Sequence, residues 1–314
     1  MGEIAMTVQE TESKLNRYRQ PSSSTEQEKQ ATADRLVKQA VDAWLEDAPD
    51  GVRIKYVPKG SYTNNTNVRQ DSDVDIAVVR TDFHYFDADD LNLDHRPVGS
   101  PTTYPLEGIL FRNSLASSIK AHFGDNCDTT GSTAIQLREN GGHVSADIVP
   151  AFTFRKYYYD AVGSISYHVG EKVFKTDGTS VVNYPDQQLE NGRTKNVITG
   201  GRYKHMVRIL KNAENDLVLA GKINELPSYF MECLIYCVPN DRFNHEGNTP
   251  LRDDLIACIA YIYDQTTSPN APAANWLEPN EIKSLFGSGQ KWTIEQAHDL
   301  AFKVWVLFDL GEEE

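Results

Sequence analysis

The chain has 314 residues, a formal net charge of −14, 39% hydrophobic residues and 24% charged residues. This is the composition of a globular protein with a core to bury, long enough for two modest lobes. No apolar run approaches the roughly 20 residues of a membrane span, the polar N-terminus reads as carrying no signal segment, and the negative charge disfavours a nucleic-acid backbone as partner; the expectation is a cytoplasmic protein acting on small molecules.

Residues 1–23 are polar and read as a flexible arm. Ser24 or Thr25 can cap a helix running to about Asp47, whose stripe of Leu36, Val37, Ala40, Val41, Trp44 and Leu45 recurs at helical spacing. It is long enough to act as a spine bridging two lobes. A strand from Arg53 to Val57 leads into Gly60-Ser61. Asp73-Val74-Asp75 opens a β-branched strand over 74–79. Residues 81–105 are polar and rich in turn formers, and read as an insertion or flexible connection. Leu106 to Phe123 has helical periodicity.

Thr133 to Arg138 reads as a strand, Asn140-Gly141-Gly142 as a hairpin turn, and His143 to Phe152 as the return strand, which carries Asp147. Beyond Tyr157-Tyr158-Tyr159 the chain is largely polar to Gly201. Helices are then predicted over 203–220, 228–238, 251–265, 278–286 and 293–310. Strands first and helices later indicate an α+β fold with a mixed or antiparallel sheet. The expected organisation is an arm (1–23), a catalytic lobe with the spine helix (24–200) and a helical lobe (201–314), with the active site between the lobes. The four cysteines include no Cys-x-x-Cys pair. Cys233 and Cys237 share a helix face and read as buried apolar residues rather than zinc ligands.

The chemistry concentrates at Gly60-Ser61 and the acidic residues. A Gly-Ser turn can offer backbone N–H groups and a hydroxyl to a triphosphate. Asp73 and Asp75, two apart on a strand, point to one face. Asp147 joins them if the two strands pair. Three carboxylates there could hold two divalent ions, which would activate an attacking hydroxyl and stabilise a leaving pyrophosphate. The oxygen-only donor set suits Mg²⁺, with Mn²⁺ as the alternative. Asp-x-Asp pairs also occur on plain surfaces, but these lead into apolar strands where uncompensated charge is costly.

In this order and spacing, Gly60-Ser61, Asp73-x-Asp75 and Asp147 resemble the motifs of the nucleotidyltransferase superfamily. Ala146-Asp147-Ile148-Val149-Pro150-Ala151-Phe152 resembles the third-Asp strand of its bacterial cGAS/DncV-like branch and of the 2′-5′ oligoadenylate synthetases. Tyr203 to Lys211 resembles that branch's helix that sends basic residues to the triphosphate; Arg208 and Lys211 share a face of it. Pro227-Ser228-Tyr229 resembles the following helix start, which implies a phosphate contact from Ser228 and base stacking by Tyr229. Asn196 either reads a base edge or is a turn residue.

The resemblance covers about residues 25–310 and implies a bilobal, polymerase-beta-like core with a C-terminal helical lobe. The activity it implies is the joining of nucleoside triphosphates, ATP with GTP or UTP, into a cyclic di- or trinucleotide. Asp73 and Asp75 would bind both metals, Asp147 would serve the attacking hydroxyl, and Gly60 and Ser61 would hold the β- and γ-phosphates. In the family the product activates a separate effector protein in anti-phage defence. Neither a zinc ribbon nor a basic cluster is evident in the sequence, so direct activation by double-stranded DNA is not expected. The competing readings are adenylylation of a small molecule or protein, linear 2′-5′ oligonucleotide synthesis, and a nucleotide-binding regulatory subunit without turnover.

Overall fold

The computed structural model describes residues 7–21, 24–68, 74–100, 102–140, 142–243, 250–267 and 271–311. Helix α1 (Val8–Tyr18) occupies much of the stretch whose polarity suggested a flexible arm. The signal for it is local. Thr7-Val8-Gln9-Glu10 is a capping box, in which Thr7 Oγ1 accepts from the Glu10 N–H and the Thr7 N–H donates to the Glu10 carboxylate. Helix α2 (Ser24–Glu46) follows, then strand β1 (Ile54–Lys59) and the short helix α3 (Gly60–Asn64).

Strand β2 (Val74–Asp87) runs eight residues past the expected end at Val79, through part of the supposed connection. Helix α4 (Ile109–Phe123), the short strands β3 (Cys127–Asp128) and β4 (Ile135–Leu137) and the long strand β5 (Ala146–Tyr159) come next. The polar stretch after Tyr159 then holds two strands that alternation alone did not reveal, β6 (Ile165–Phe174) and β7 (Ser180–Asn183). Helices α5 (Pro185–Ile198), α6 (Arg202–Leu219), α7 (Ser228–Cys237), α8 (Leu251–Gln265) and α9 (Ile294–Leu307) complete the chain. The helix expected over 278–286 is absent. Asn280 Oδ1 accepts from the N–H groups of Ile282 and Lys283, and Glu281 takes a left-handed φ of 57°, so a turn replaces it.

Two compact units emerge, and neither is continuous in sequence: one gathers the described residues of 1–22, 63–71 and 187–314, the other those of 23–62 and 72–186. Among the described residues, the second unit is built on a mixed sheet of seven strands, in the order β1-β2-β5-β4-β3, with β6 on β5 and β7 on β6. The β2–β5 pair is parallel and the other pairs are antiparallel.

One face of that sheet carries Val74, Ile76, Val78, Ala146, Ile148 and Phe152. They share a core with Ala33, Val37, Val41 and Trp44 of α2 and with Phe111, Leu115 and Ile119 of α4. The opposite face holds only a small apolar cluster of Ala77, Val79, Ala151 and Val173. The alternation that sends Val74 and Ile76 to the helices therefore sends Asp75 to the other face.

The first unit is a helical body whose core runs through Leu15, Met206, Leu210, Phe230, Leu234, Leu255, Leu300 and Val304. Helix α1 belongs to it through Leu15, and through Glu12, whose carboxylate accepts from the Leu251 and Arg252 N–H groups that begin α8. The four cysteines are free; Cys127, Cys233 and Cys258 are buried and Cys237 is half-buried. Among the described residues no helix is long and apolar enough to cross a membrane.

Candidate active site

The parallel pairing of β2 and β5 sets Asp75 directly beside Asp147. Strand spacing puts their Cα atoms about 5 Å apart, with both side chains on the face turned away from the helices. The row continues on both sides. Lys59 of β1 is in register with Asp75, and Gln136 of β4 with Asp147. Gln136 Nε2 donates to Asp147 Oδ1 at 3.4 Å. Both aspartates are half-buried, open enough to meet a ligand. Asp73 lies outside the described residues. Among the described residues no three His, Cys, Asp or Glu side chains cluster as a metal site. The pair of carboxylates nonetheless fits a hard divalent cation. Both are oxygen donors on one sheet face, and Mg²⁺ needs only one or two carboxylates when phosphate oxygens and water complete its shell.

The Gly-Ser turn abuts this pair. Gly60 has a φ of 73°, and a Cβ at that position would collide with Asp75 Oδ2. Glycine is thus required twice, by the left-handed backbone and by the close approach of the carboxylate. Gly60→Ala is expected to cost about 2 kcal/mol of stability and to displace Asp75. The checks are thermal unfolding and the activity assay described below; a variant with unchanged stability and rate would contradict the reading.

Lys59, just before Gly60, pairs with Glu171 of β6, which is 3% exposed. Burial raises the Glu171 carboxyl above the usual range, and the Lys59 charge opposes that shift. Neither Gln136, Lys59 nor Glu171 was legible as part of this face from sequence. Their placement depends on strand register, for which a single sequence carries no marker.

The candidate residues of the helical unit sit differently. Arg208 is 5% exposed and Lys211 2% exposed. The Arg208 Nε donates to the Arg19 carbonyl, and its NH1 donates to the Asn65 carbonyl at 2.6 Å. Burial, with the charge of Arg19, lowers its pKa to about 10, so it stays charged at neutral pH. Ser228 begins α7 after Pro227, which contributes no capping hydrogen bond. Tyr229 stacks edge-on to Trp292 and donates from its hydroxyl to Glu278 Oε2 at 3.2 Å.

Asn196 lies on α5 rather than in a loop. Its Oδ1 accepts from the Lys204 N–H at 3.1 Å, and Thr199 Oγ1 accepts from the Tyr203 N–H at 3.1 Å. The two side chains cap the first turn of α6, whose own N-cap residue is Gly201.

His205, on the same helix, is shifted by burial first, then by Arg208, Arg19 and Arg202, to a pKa of about 4. The unfolded imidazole titrates near 6.5. Between these values the unfolded chain binds more protons than the folded one, so stability is complete above about pH 6.5 and falls as pH drops towards 4. His205→Gln is expected to remove on the order of 2 kcal/mol of that acid sensitivity. Urea unfolding at pH 7 and pH 4.5 on both proteins measures it, and equal slopes would refute the assignment.

Comparison with known proteins agrees with the family resemblance. Residues 190–309 match the model of the cGAS/DncV-like nucleotidyltransferase C-terminal helical domain. A Legionella pneumophila protein, cyclic dipyrimidine nucleotide synthase CdnE, is 34% identical over 297 residues, covering 94% of this chain and 96% of that protein. A Cecembia lonarensis protein of the same name is 30% identical over 299 residues, covering 94% and 97%. The solved structure of Elizabethkingia meningoseptica CdnE cyclic dinucleotide synthase with GTP and Apcpp matches with a TM-score of 0.74 at 27% identity, over 94% of this chain and 98% of that one. Similarity sustained over the full length of such relatives, on a sheet that sets Asp75 beside Asp147 next to a Gly-Ser turn, means that this chain belongs to the cGAS/DncV-like nucleotidyltransferases, a family of metal-dependent nucleotidyl transfer enzymes.

Proposed function

We propose that this chain joins two nucleoside triphosphates into a cyclic dinucleotide and releases two pyrophosphates. The observation that carries the reading is the in-register Asp75–Asp147 pair beside Gly60, in a chain similar along its length to proteins named as cyclic dinucleotide synthases. In each of two steps a ribose hydroxyl oxygen bonds to an α-phosphorus and the bond to the β-phosphate oxygen breaks. The first step gives a linear dinucleotide, and the second closes the ring.

Mg²⁺, when bound, would acidify the attacking hydroxyl and offset charge on the departing pyrophosphate. Asp75 and Asp147, with Asp73, are the residues that would hold it. Asp147 is assigned the further role of accepting the hydroxyl proton, which passes on to water. Gly60 and Ser61 are assigned to the β- and γ-phosphates through backbone N–H and hydroxyl donors. On the family resemblance, Ser228 supplies a phosphate contact and Tyr229 a base contact. The name of the Legionella relative puts the pyrimidine triphosphates, UTP and CTP, first among the substrates to test, with ATP and GTP beside them. The product is expected to act on a separate effector protein in anti-phage defence.

The test is incubation of the protein with Mg²⁺ and all four labelled NTPs, phosphatase treatment and mass analysis. A phosphatase-resistant dinucleotide that requires Mg²⁺ supports the reading, and its mass identifies the bases. Transfer of a nucleotide only to an added acceptor would overturn it in favour of adenylylation.

A further inference from the structure

The run Asn64-Asn65-Thr66-Asn67 is polar, yet Asn64, Thr66 and Asn67 are 7%, 1% and 2% exposed. Glu232 explains the burial of Asn64 and Thr66. It sits one helical turn after Ser228 on α7 and is itself 3% exposed. Its Oε1 accepts from Asn64 Nδ2 at 2.8 Å and from Gln188 Nε2 at 3.2 Å, and its Oε2 accepts from Thr66 Oγ1 at 3.0 Å. The two carboxylate oxygens thus grip two residues of one short segment. Between those residues, Asn65 takes a left-handed φ of 52°, which asparagine tolerates better than most residues. Its carbonyl receives the Arg208 NH1 at 2.6 Å. Arg208, Glu232 and the 64–67 segment all belong to the helical unit.

A buried carboxylate and a buried guanidinium are costly ways to hold a loop, and an apolar packing of the same volume often stabilises as well or better. What such groups supply is a single geometry, because each hydrogen bond is charge-assisted and directional. The segment they fix continues directly from the Gly-Ser turn, since Gly60, Ser61 and Asn64 lie on the same five-residue helix α3. We propose that Glu232 and Arg208 are positioning residues for nucleotidyl transfer. They clamp residues 64–67 from the side chains of Asn64 and Thr66 and the carbonyl of Asn65, so that the Gly60-Ser61 turn meets the triphosphate in one conformation. The inference rests on the function proposed above, and it moves Arg208 from a phosphate contact to a support acting through the backbone.

The test compares the full chain with Glu232→Gln, with Asn64→Ala/Thr66→Val and with the three changes combined. Hydrogen exchange is read over residues 60–68, and kcat and KM for NTP are measured with Mg²⁺. In both variants the 60–68 amides are expected to exchange roughly tenfold faster, with α9 unchanged. The value of kcat/KM is expected to fall roughly 10–100-fold, mainly through KM. The combined variant is expected to lose no more than either alone, because all three changes break one clamp. Thr66→Ser keeps the donor and should restore the wild-type KM.

Unchanged exchange at 60–68 in a folded Glu232→Gln protein overturns the clamp. Faster exchange with wild-type kcat/KM, or losses that multiply in the combined variant, overturns the positioning role. If Glu232→Gln does not fold, Asn64→Ala/Thr66→Val makes the same measurements with Glu232 intact. If the wild type itself forms no product, the proposed reaction fails, and the exchange data still decide the clamp.

Discussion

Asp147→Asn and Asp75→Asn are each expected to lower the rate of nucleotide joining by about 10³-fold or more without lowering stability. The two effects have one cause. Asp75 and Asp147 are in register on adjacent parallel strands, so two carboxylates share one sheet face on Cα atoms about 5 Å apart. Like charges at that separation, partly open to water, repel by about 1 kcal/mol. Conversion of either to Asn relieves that repulsion and keeps a side-chain oxygen as acceptor, which Asp147 offers to Gln136, so no loss of stability is expected when no cation is present. A divalent cation reverses the sign, because the pair attracts what each carboxylate repels in the other.

Thermal unfolding with and without Mg²⁺ should separate the cases. Wild type gains stability with rising Mg²⁺ according to its affinity, and each Asn variant gains much less while melting at or above the wild-type temperature in chelator. Equal Mg²⁺ shifts in all three proteins would remove the metal from these residues. A variant that melts much lower in chelator would make the carboxylates structural. The pattern of lost activity with kept or raised stability is what distinguishes a site from a scaffold.

The parts of this molecule legible from sequence are those whose signals are local. The α2 stripe of Val37, Val41 and Trp44, the β-branched run at Val74–Val79 and the Asn140 turn each declare their structure within a few residues. The proposed nucleotide site was read for a different reason: Gly60-Ser61, Asp75 and Asp147 stand in an order and spacing that resemble a family motif.

What was not legible depends on partners far away in the chain. The strands β6 and β7 read as polar connection because few of their residues are buried, and what makes them strands is pairing, of β6 with β5 and of β7 with β6. Arg208 read as a triphosphate contact, on the family resemblance of its helix. It is buried because the carbonyls of Arg19 and Asn65, 189 and 143 residues away, need a donor. Asn196 looked like a turn residue because its side chain suits turns. Here the same side-chain oxygen caps α6 across a two-glycine break at Gly200-Gly201. In α1 the reverse happened: the local signal existed in the Thr7–Glu10 box, and composition concealed it.

Asp82→Ala is expected to destabilise the sheet unit by about 3–5 kcal/mol. Arg80 is fully buried in β2, where its guanidinium donates to both oxygens of Asp82, from Nε at 2.8 Å and NH2 at 2.6 Å. Its NH1 turns to the carbonyls of Pro105 and Leu106 at 3.2 and 3.3 Å, and its plane lies among Phe83, Phe111 and Phe152.

Arg80 and Asp82 are two apart on one strand, a spacing at which side chains share a face. The β2–β5 register also shifts between Arg80 and His84. Burial raises the cost of the Asp82 charge. The Arg80 hydrogen bonds and charge, with the Arg53 N–H, outweigh it and hold the carboxyl below its usual range. Removing Asp82 leaves a guanidinium in an aromatic core with no counter-charge, while its carbonyl partners still prevent it from leaving. Because the pair is shielded from solvent, salt should change its contribution little.

The expected drop in melting temperature is roughly 10 °C, and Arg80→Met/Asp82→Ala should lose less than Asp82→Ala alone, since it removes the stranded charge together with its partner. A double variant as unstable as the sum of the two singles would mean that Arg80 acts mainly through Pro105 and Leu106. In that case the 105–106 connection, rather than the ion pair, would be what the buried arginine serves.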